Sequence, residues 1–379
     1  MTGNWAYLTI MKGLGAEYRA LAGMSPEDAA RTTPLVQLWD RGAPSDDDGA
    51  LGDGLLPADD EQEAIWASTR GDALFERLRS QLLDGPGRMW ADGRPLLLDG
   101  GWLDRASDFA TVLSSCRAAG VRAVPVTGLR RPAPYQAAVA DFQRSHAPGL
   151  ALRLGRADFS PGAPAVGEAI DRLLGRLDAA PEAVDLVVDL RSIDRMSWER
   201  DAVLAESALL TLPGLAAWRN VAVAGSGMPA NASGYARDDI VPFPRTEWWV
   251  WGDVALRGRA GRTPVFGDYG VIHPDRVEQF AAARRLPRIP AIRYTVGDRC
   301  LMVRGVDLAT GDEARVRVLL QRLVDGPDWC GPGFSRGDEW VLRAARGEGG
   351  LGNWATWKAV SQSHHLAYVT RQTASWPAT

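Results

Sequence analysis

Short apolar runs alternate with longer amphipathic stretches along almost the whole chain. The short runs are bounded by turn residues, as is typical of strands, and the longer stretches carry apolar residues at helical spacing. The predicted strands are residues 6–11, 34–39, 95–98, 121–126, 150–154, 184–190, 220–224 and 263–266. The predicted helices lie near residues 15–23, 61–83, 105–119, 133–146, 163–179, 196–211, 244–256 and 274–285.

Strands that alternate with helices in this way predict a parallel sheet, because the chain must cross over between successive strands. Eight such units predict a (β/α)8 TIM-like barrel. A doubly wound open sheet is the alternative, since periodicity cannot prove that the sheet closes. After the eighth unit, residues 291–295 and 300–306 form a predicted hairpin, and helices are predicted near 312–324 and 352–370. We therefore expect a barrel over residues 1–288 and an α+β appendage of hairpin and helices over 289–379, packed on the barrel.

Composition narrows the class of protein further. The chain has 379 residues and a formal net charge of -4, which does not favour nucleic-acid binding through a dominant basic surface. It has 3 cysteines, none in a CxxC pair, which fits a reducing cytoplasm. No basic and apolar leader and no apolar run of about 18 residues is present, so we expect neither secretion nor a membrane segment. The oligomeric state is left open.

The ends of the predicted strands carry the candidate site residues. In a TIM barrel the active site lies at the carboxyl ends of the strands. Side-chain alternation places Arg153 and Asp189 on the inward face, where unpaired charges would be costly. A purely structural ion-pair network is as consistent with this pattern as a functional site. Candidate catalytic residues are Lys12, Asp99, Asp189 and Asp268, and candidate ligand-binding residues are Arg153, Arg191 and Tyr269.

The run of small residues from Gly225 to Gly234, after the seventh predicted strand, is a second candidate region. Loops after strands seven and eight of barrels often bind phosphate through backbone N–H groups, which makes Ser226 and Gly227 candidate anion ligands. A flexible loop fits the same residues. No Walker or GxGxxG motif is present, so the cofactor is left open.

Other polar and aromatic clusters have a structural interpretation beside a functional one. We expect no metal site, although Asp99, Asp189 and Asp268 together could hold Mg²⁺. The acidic residues within 41–63 predict a solvated insertion, or alternatively a lid. The tryptophans within 248–251 are expected to pack in the core rather than to form a stacking platform.

Several short motifs, in order along the chain, resemble the bacteriophage beta protein family. The motifs span nearly the full chain, although Thr9 stands near the position where the family usually has proline. The matching segments are Tyr7–Lys12, Gly15–Leu21, Thr33–Leu35, Pro229, Asp268–Gly270, His273–Pro274, Tyr294, Arg304–Gly305, Gly337–Trp340, Gly352–Asn353, Trp357 and His364–Leu366.

The resemblance implies a role at the phage–bacterium boundary, in defence or exclusion, without naming a reaction. Combined with the charged mouth, it predicts a pocket for an anionic or phosphorylated small molecule, with hydrolysis as a candidate reaction. The alternative is a non-enzymatic scaffold that binds a phage or host protein through its C-terminal appendage, using Trp340, Trp354, Trp357, His364 and His365.

Overall fold

The chain folds around a closed parallel barrel. The computed structural model describes residues 5–39, 75–76, 78–79, 93–103, 105–160, 165–275, 288–310 and 312–376. Eight described strands close the barrel in the order β1-β2-β3-β4-β5-β6-β7-β9, so the predicted TIM-like barrel is confirmed. Its strands are β1 (Tyr7–Met11), β2 (Thr32–Trp39), β3 (Pro95–Trp102), β4 (Arg122–Thr127), β5 (Leu150–Gly155), β6 (Val184–Ser192), β7 (Asn220–Ser226) and β9 (Val265–Asp268).

Helices follow the strands as the alternation predicts. The predicted helices near 61–83 and 274–285, and the acidic segment 41–63, lie almost wholly outside the described residues. The described α-helices are α1 (Gly15–Ala22), α2 (Pro26–Arg31), α3 (Ala106–Ala118), α4 (Ala133–His146), α5 (Val166–Leu177), α6 (Trp198–Thr211), α7 (Thr246–Arg257), α8 (Glu313–Val324), α9 (Arg336–Ala345) and α10 (Trp354–Ala374). Short 3-10 turns occupy Arg156–Phe159, Pro181–Ala183, Leu215–Ala217 and Leu308–Thr310.

A second, antiparallel sheet lies beside the barrel. It has the order β10-β11-β8, where β10 (Ala291–Val296) and β11 (Arg299–Arg304) are the predicted hairpin. The third strand, β8 (Asp239–Pro244), was not predicted and comes from the chain between β7 and α7. It contains Pro242 and Pro244, which cannot donate to a ladder and are tolerated because β8 forms the edge of this sheet. The division into 1–288 and 289–379 stays a prediction, since β8 belongs by sequence to the first range and pairs within the second.

Apolar side chains fill the barrel from inside and outside. The inward positions hold a layer that includes Leu8, Ile10, Leu97, Val187 and Ala222, all buried. This is the packed interior expected of eight parallel strands rather than a pore. Outward positions of the same strands pack against the helices in a larger cluster.

The aromatic cluster of α7 belongs to that outer core. Trp248 and Trp251 are 9% and 3% exposed and meet the ring of Phe266 edge-on. Trp249 is partly buried and packs against the same core. The predicted packing role of these tryptophans is confirmed. Within the described residues, no helix is both long enough and apolar enough to cross a membrane.

Candidate functional site

A buried charged network lies at the carboxyl ends of β3, β5 and β6. Arg153 Nη1 donates to Asp99 Oδ2 at 2.8 Å, and its Nε and Nη2 donate to Asp189 Oδ2 at 3.0 and 2.6 Å. Strand alternation predicted that Arg153 and Asp189 lie in one inward-facing cluster, and these contacts confirm it. The guanidinium therefore bridges carboxylates on β3 and β6, and its own strand, β5, lies between these two strands in the barrel order.

Further side chains complete this network. Tyr269 donates to Asp189 Oδ2 at 2.6 Å and accepts from Arg153 Nη2 at 2.6 Å. The amide of Gln37 faces Arg153, and in the orientation that satisfies both groups its oxygen accepts from Arg153 Nη1 and Nη2 at 2.9 and 3.0 Å. Arg131 Nη2 donates to both oxygens of Asp99 at 2.7 and 2.8 Å. The ionised groups are thus balanced, with a pair of arginines against a pair of aspartates.

The members of this network are shielded from solvent to different degrees. Asp99, Tyr269 and Asp189 are at most 3% exposed, whereas the side chain of Arg131 is 18% exposed. Burial alone would lower the pKa of Arg153, but Tyr269 and the carboxylates of Asp189 and Asp99 raise it well above its ordinary value, so the guanidinium stays charged. Burial raises the pKa of Tyr269, so the phenol stays protonated and can donate. Arg131 is therefore the member of this network that is most exposed to solvent.

Asp268 lies in a separate cluster rather than beside Asp99 and Asp189. Its Oδ1 accepts from the Tyr7 hydroxyl at 2.5 Å and from the Gly270 amide at 2.9 Å, while Oδ2 contacts His365 Nε2 at 2.8 Å. His365 Nδ1 in turn lies 2.8 Å from Thr295 Oγ1. The three aspartates are therefore not gathered into one carboxylate site. Within the described chain, no group of three or more His, Cys, Asp or Glu side chains is arranged to hold a metal ion.

The loop after β7 uses its polar groups within the protein. The Gly227 amide donates to Glu247 Oε2 at 2.8 Å, and Ser226 Oγ accepts from the Met228 amide at 3.2 Å. A carboxylate of the chain thus occupies the position that an anion bound to the Gly227 amide would take. Anion binding by Ser226 and Gly227 stays a prediction, and it would require displacement of Glu247.

Arg191 and its neighbours form the rim between β6 and the loop after β9. Arg191 has a left-handed backbone (φ 56°), and its Nε donates to Asp275 Oδ1 at 2.7 Å. Ser192 Oγ lies 3.3 Å from His273 Nε2, and the Asp275 amide donates to His273 Nδ1 at 3.1 Å. An Nδ1 that accepts leaves the proton of a neutral imidazole on Nε2. In this geometry His273 donates to Ser192 and does not activate it as a nucleophile.

Comparison with known proteins places the chain in a family. The sequence profile described as "Beta protein" matches residues 7–371. The chain belongs to the Beta protein family. No curated protein and no solved structure matches it.

Lys12, His364 and His365 are motif residues of this Beta protein family member that occupy buried positions. Lys12 is 6% exposed, and its amide donates to the buried carboxylate of Glu17 at 3.1 Å. His364 and His365 are 1% and 0% exposed and turn to different carboxylates, with His364 Nδ1 lying 3.0 Å from Asp338 Oδ2. They do not share a ligand, as their adjacent positions on one helix predicted. Lys12, Asp99, Asp189 and Asp268 are all buried. Their catalytic roles stay predictions.

The most accessible polar group of the Arg153 network was missed in the sequence. Arg131 lies in the loop after β4, four residues beyond Thr127, where that strand ends. Trp39 and Trp102, at the ends of β2 and β3, are partly exposed beside it. The strand-end rule would have found all three had it been applied to aromatic residues and to positions within one turn of the strand end.

Proposed function

We propose that this Beta protein family member acts in phage–host conflict by binding an anionic, phosphorylated small molecule at the barrel mouth, with Arg131 as the ligand's main contact. Family membership supports the phage–bacterium setting. The partly exposed guanidinium of Arg131 at the mouth supports an anionic ligand. The main proposal is that the mouth binds this ligand, and we further propose that the ligand is hydrolysed there.

One observation carries the proposal. Both hydrogen bonds of the Arg131 side chain leave from Nη2, so among the described residues its Nε and Nη1 groups have no acceptor. Asp99 fixes the guanidinium of Arg131 through these two hydrogen bonds, and the side chain of Arg131 is partly exposed to solvent. A planar guanidinium with unused donors is suited to a phosphate or carboxylate group, because two of its N–H groups can meet two oxygens.

The buried residues would then act by positioning Arg131. Arg153 neutralises Asp99 from the other side, and Asp189 with Tyr269 holds Arg153 in turn. A rigid support of this kind lowers the cost of ordering the contact residue when the ligand binds. Lys12, Asp268, Arg191, Ser226 and Gly227 are not assigned a contact with the ligand in this scheme.

Ligand-linked thermal unfolding tests the binding. Inorganic phosphate and pyrophosphate should raise the melting temperature of the wild type, since a ligand that binds only the folded state stabilises it. Arg131→Gln should lose this response. Arg172→Gln is the matched control, because Arg172 is an exposed arginine of α5 that pairs with Glu168 on the outer surface. An equal response in wild type and Arg131→Gln would reject Arg131 as the contact.

A phage-challenge assay tests the biological setting. Cells that produce the wild type should show fewer plaques than cells that produce Arg131→Gln, at equal protein levels. Equal plaque numbers in both strains and in an empty-vector strain would reject the role in phage–host conflict, whatever the thermal response.

The alternative scaffold hypothesis rests on a different surface. His364, His365 and Trp357 are buried and cannot contact a partner, but Trp354 is 40% exposed. A cavity of about 340 Å³ also opens between β8, β11 and α8, lined by residues that include Ile240 and Leu323. If Trp354→Ala abolished the phage phenotype and Arg131→Gln preserved it, the scaffold hypothesis would replace the proposed one.

A further inference from the structure

We propose that the ligand of the mouth is a nucleotide, whose phosphate contacts Arg131 and whose base stacks on Trp39. This inference rests on the proposed function and narrows it from an anion to an anion that carries a planar ring.

The aromatic side of the site is built by strand pairing. Trp39 and Trp102 are neighbours across β2 and β3, after a shift in register between Gln37 and Trp39. Their ring centroids are 4.9 Å apart with an angle of 26° between the planes. Both rings are partly exposed. The pair is therefore a stack that remains open to solvent at the barrel mouth.

Arg131 is held against this stack. Its guanidinium carbon lies 5.3 Å from the centroid of Trp102 and 5.6 Å from that of Tyr135. Arg153 lies over Trp102 at the same 5.3 Å. Trp102 is thus already in contact with Trp39 and with both guanidinium groups. Trp39 is partly exposed and stacks on Trp102 alone among the described rings, so we assign the base to Trp39.

The polar groups of the site are donors. The indole Nε1–H of Trp39 is buried and has no acceptor among the described residues. Arg131 adds its Nε and Nη1 groups, as described above. The carboxylate nearest to them, Asp99, already accepts from Arg131, Arg153 and the Gly101 amide. A ligand rich in acceptor atoms matches this set, and a nucleotide combines phosphate oxygens with the ring nitrogens or carbonyls of a base.

The surroundings of the stack argue against a simple phosphate site. Inorganic phosphate needs donors and positive charge, and it gains nothing from an open aromatic pair. Stacking of a base on an aromatic side chain, in contrast, contributes to affinity whatever the base, because every base has a π-face. An aromatic pair joined to an arginine therefore favours a ligand with both parts.

Titration calorimetry with three probes separates the two parts of the ligand. The probes are adenosine 5′-monophosphate, ribose 5-phosphate and adenosine. We expect the wild type to bind the nucleotide about tenfold more tightly than ribose 5-phosphate, from base stacking. Adenosine should bind more weakly than the nucleotide, because it lacks the phosphate.

Variants of the mouth then assign each part to a residue. Trp39→Leu should bring the affinities for the nucleotide and ribose 5-phosphate to within about twofold while leaving phosphate binding intact. Trp39→Phe keeps a ring and should retain most of the preference, and it serves as the test if Trp39→Leu does not fold. Arg131→Gln should weaken binding of both phosphorylated probes. Trp354→Leu, in an exposed tryptophan of α10, should change none of these affinities.

The outcomes distinguish this inference from the proposed function. Equal affinities of the wild type for the nucleotide and ribose 5-phosphate would overturn the nucleotide assignment and leave the anion site standing. Equal affinities for the nucleotide and adenosine would overturn both, because the phosphate would then contribute nothing. A nucleotide preference that survives in Trp39→Leu would overturn the placement of the base.

Discussion

The carboxylate of Asp268 meets the imidazole of His365 at 2.8 Å, joining the last barrel strand to the last helix. Both side chains are at most 1% exposed, and Tyr7 of the first strand donates to the same carboxylate. The contact therefore ties the point where the barrel closes, between β1 and β9, to α10. Asp268 is therefore a residue of the joint between β9 and α10.

Replacement of Asp268 should therefore act first on stability. Asp268→Ala removes the acceptor of Tyr7 and leaves His365 Nε2 buried beside a cavity without its partner. Breaking a buried pair of this kind costs about 3–5 kcal/mol. Urea unfolding measures the change, with Asp141→Ala as the control, because Asp141 is a surface residue whose side chain is 72% exposed. A change in Asp268→Ala no larger than in the control would show that the joint does not stabilise the fold.

The carboxylate of Asp268 should make the free energy of unfolding depend on pH in the acid range. Burial alone would raise the pKa of Asp268, but the charge and hydrogen bond of His365, together with the Tyr7 hydroxyl, lower it below the usual 3.8. A carboxyl group whose pKa is lowered by folding contributes stability above its unfolded pKa, and this contribution is lost as the pH falls through the folded pKa. The difference in unfolding free energy between wild type and Asp268→Asn should therefore shrink below about pH 4. A difference that stayed constant from pH 7 to pH 3 would contradict this.

The sequence predicted the barrel because each unit repeats the same local pattern. Every barrel strand overlaps a predicted one, and α4 begins and ends at the predicted residues. β8 was missed because its two prolines argue against a strand unless the strand is known to lie at an edge, which only the pairing with β11 reveals. α9 was also missed, although Ser335 caps it by accepting from the Asp338 amide, a signal that the sequence contains.

Replacement of Arg153, the arginine that pairs with both Asp99 and Asp189, should destabilise the fold. Arg153→Met leaves Asp99 and Asp189 buried. Among the described residues, Arg153 is the one cation that forms an ion pair with Asp189, whereas Asp99 keeps its pair with Arg131. We expect a loss of about 3–5 kcal/mol in the free energy of unfolding. Arg130→Met, a change of an arginine that is 61% exposed and pairs with Asp158, should cost less than about 1 kcal/mol. Similar losses in the two variants would show that the buried network is not the stabilising element.

The candidate site was predicted only where it depends on local alternation. Arg153 and Asp189 share the inward face because side chains alternate along each strand, and this can be read from a single segment. Asp268 was assigned to the same site, yet its partner His365 lies 97 residues later in the chain. Its placement depends on how α10 packs on the barrel, which no local pattern encodes. Arg131 was missed for a related reason, since its contact with Asp99 joins the loop after β4 to β3.

A backbone position offers the sharpest test of the Arg131 site. A Cβ added at Gly101 would lie 1.5 Å from Arg131 Nη1, so Gly101→Ala must move the guanidinium although it removes no charge. We expect Gly101→Ala to lose the thermal response to phosphate and to destabilise the fold by about 1–3 kcal/mol. Gly175→Ala is the matched control, because nothing lies within 4 Å of a Cβ built there, in α5. It should keep the phosphate response and stabilise the fold by about 0.5–1 kcal/mol, since alanine favours the helix. A full phosphate response in Gly101→Ala would mean that the ligand does not need Arg131 where the structure places it.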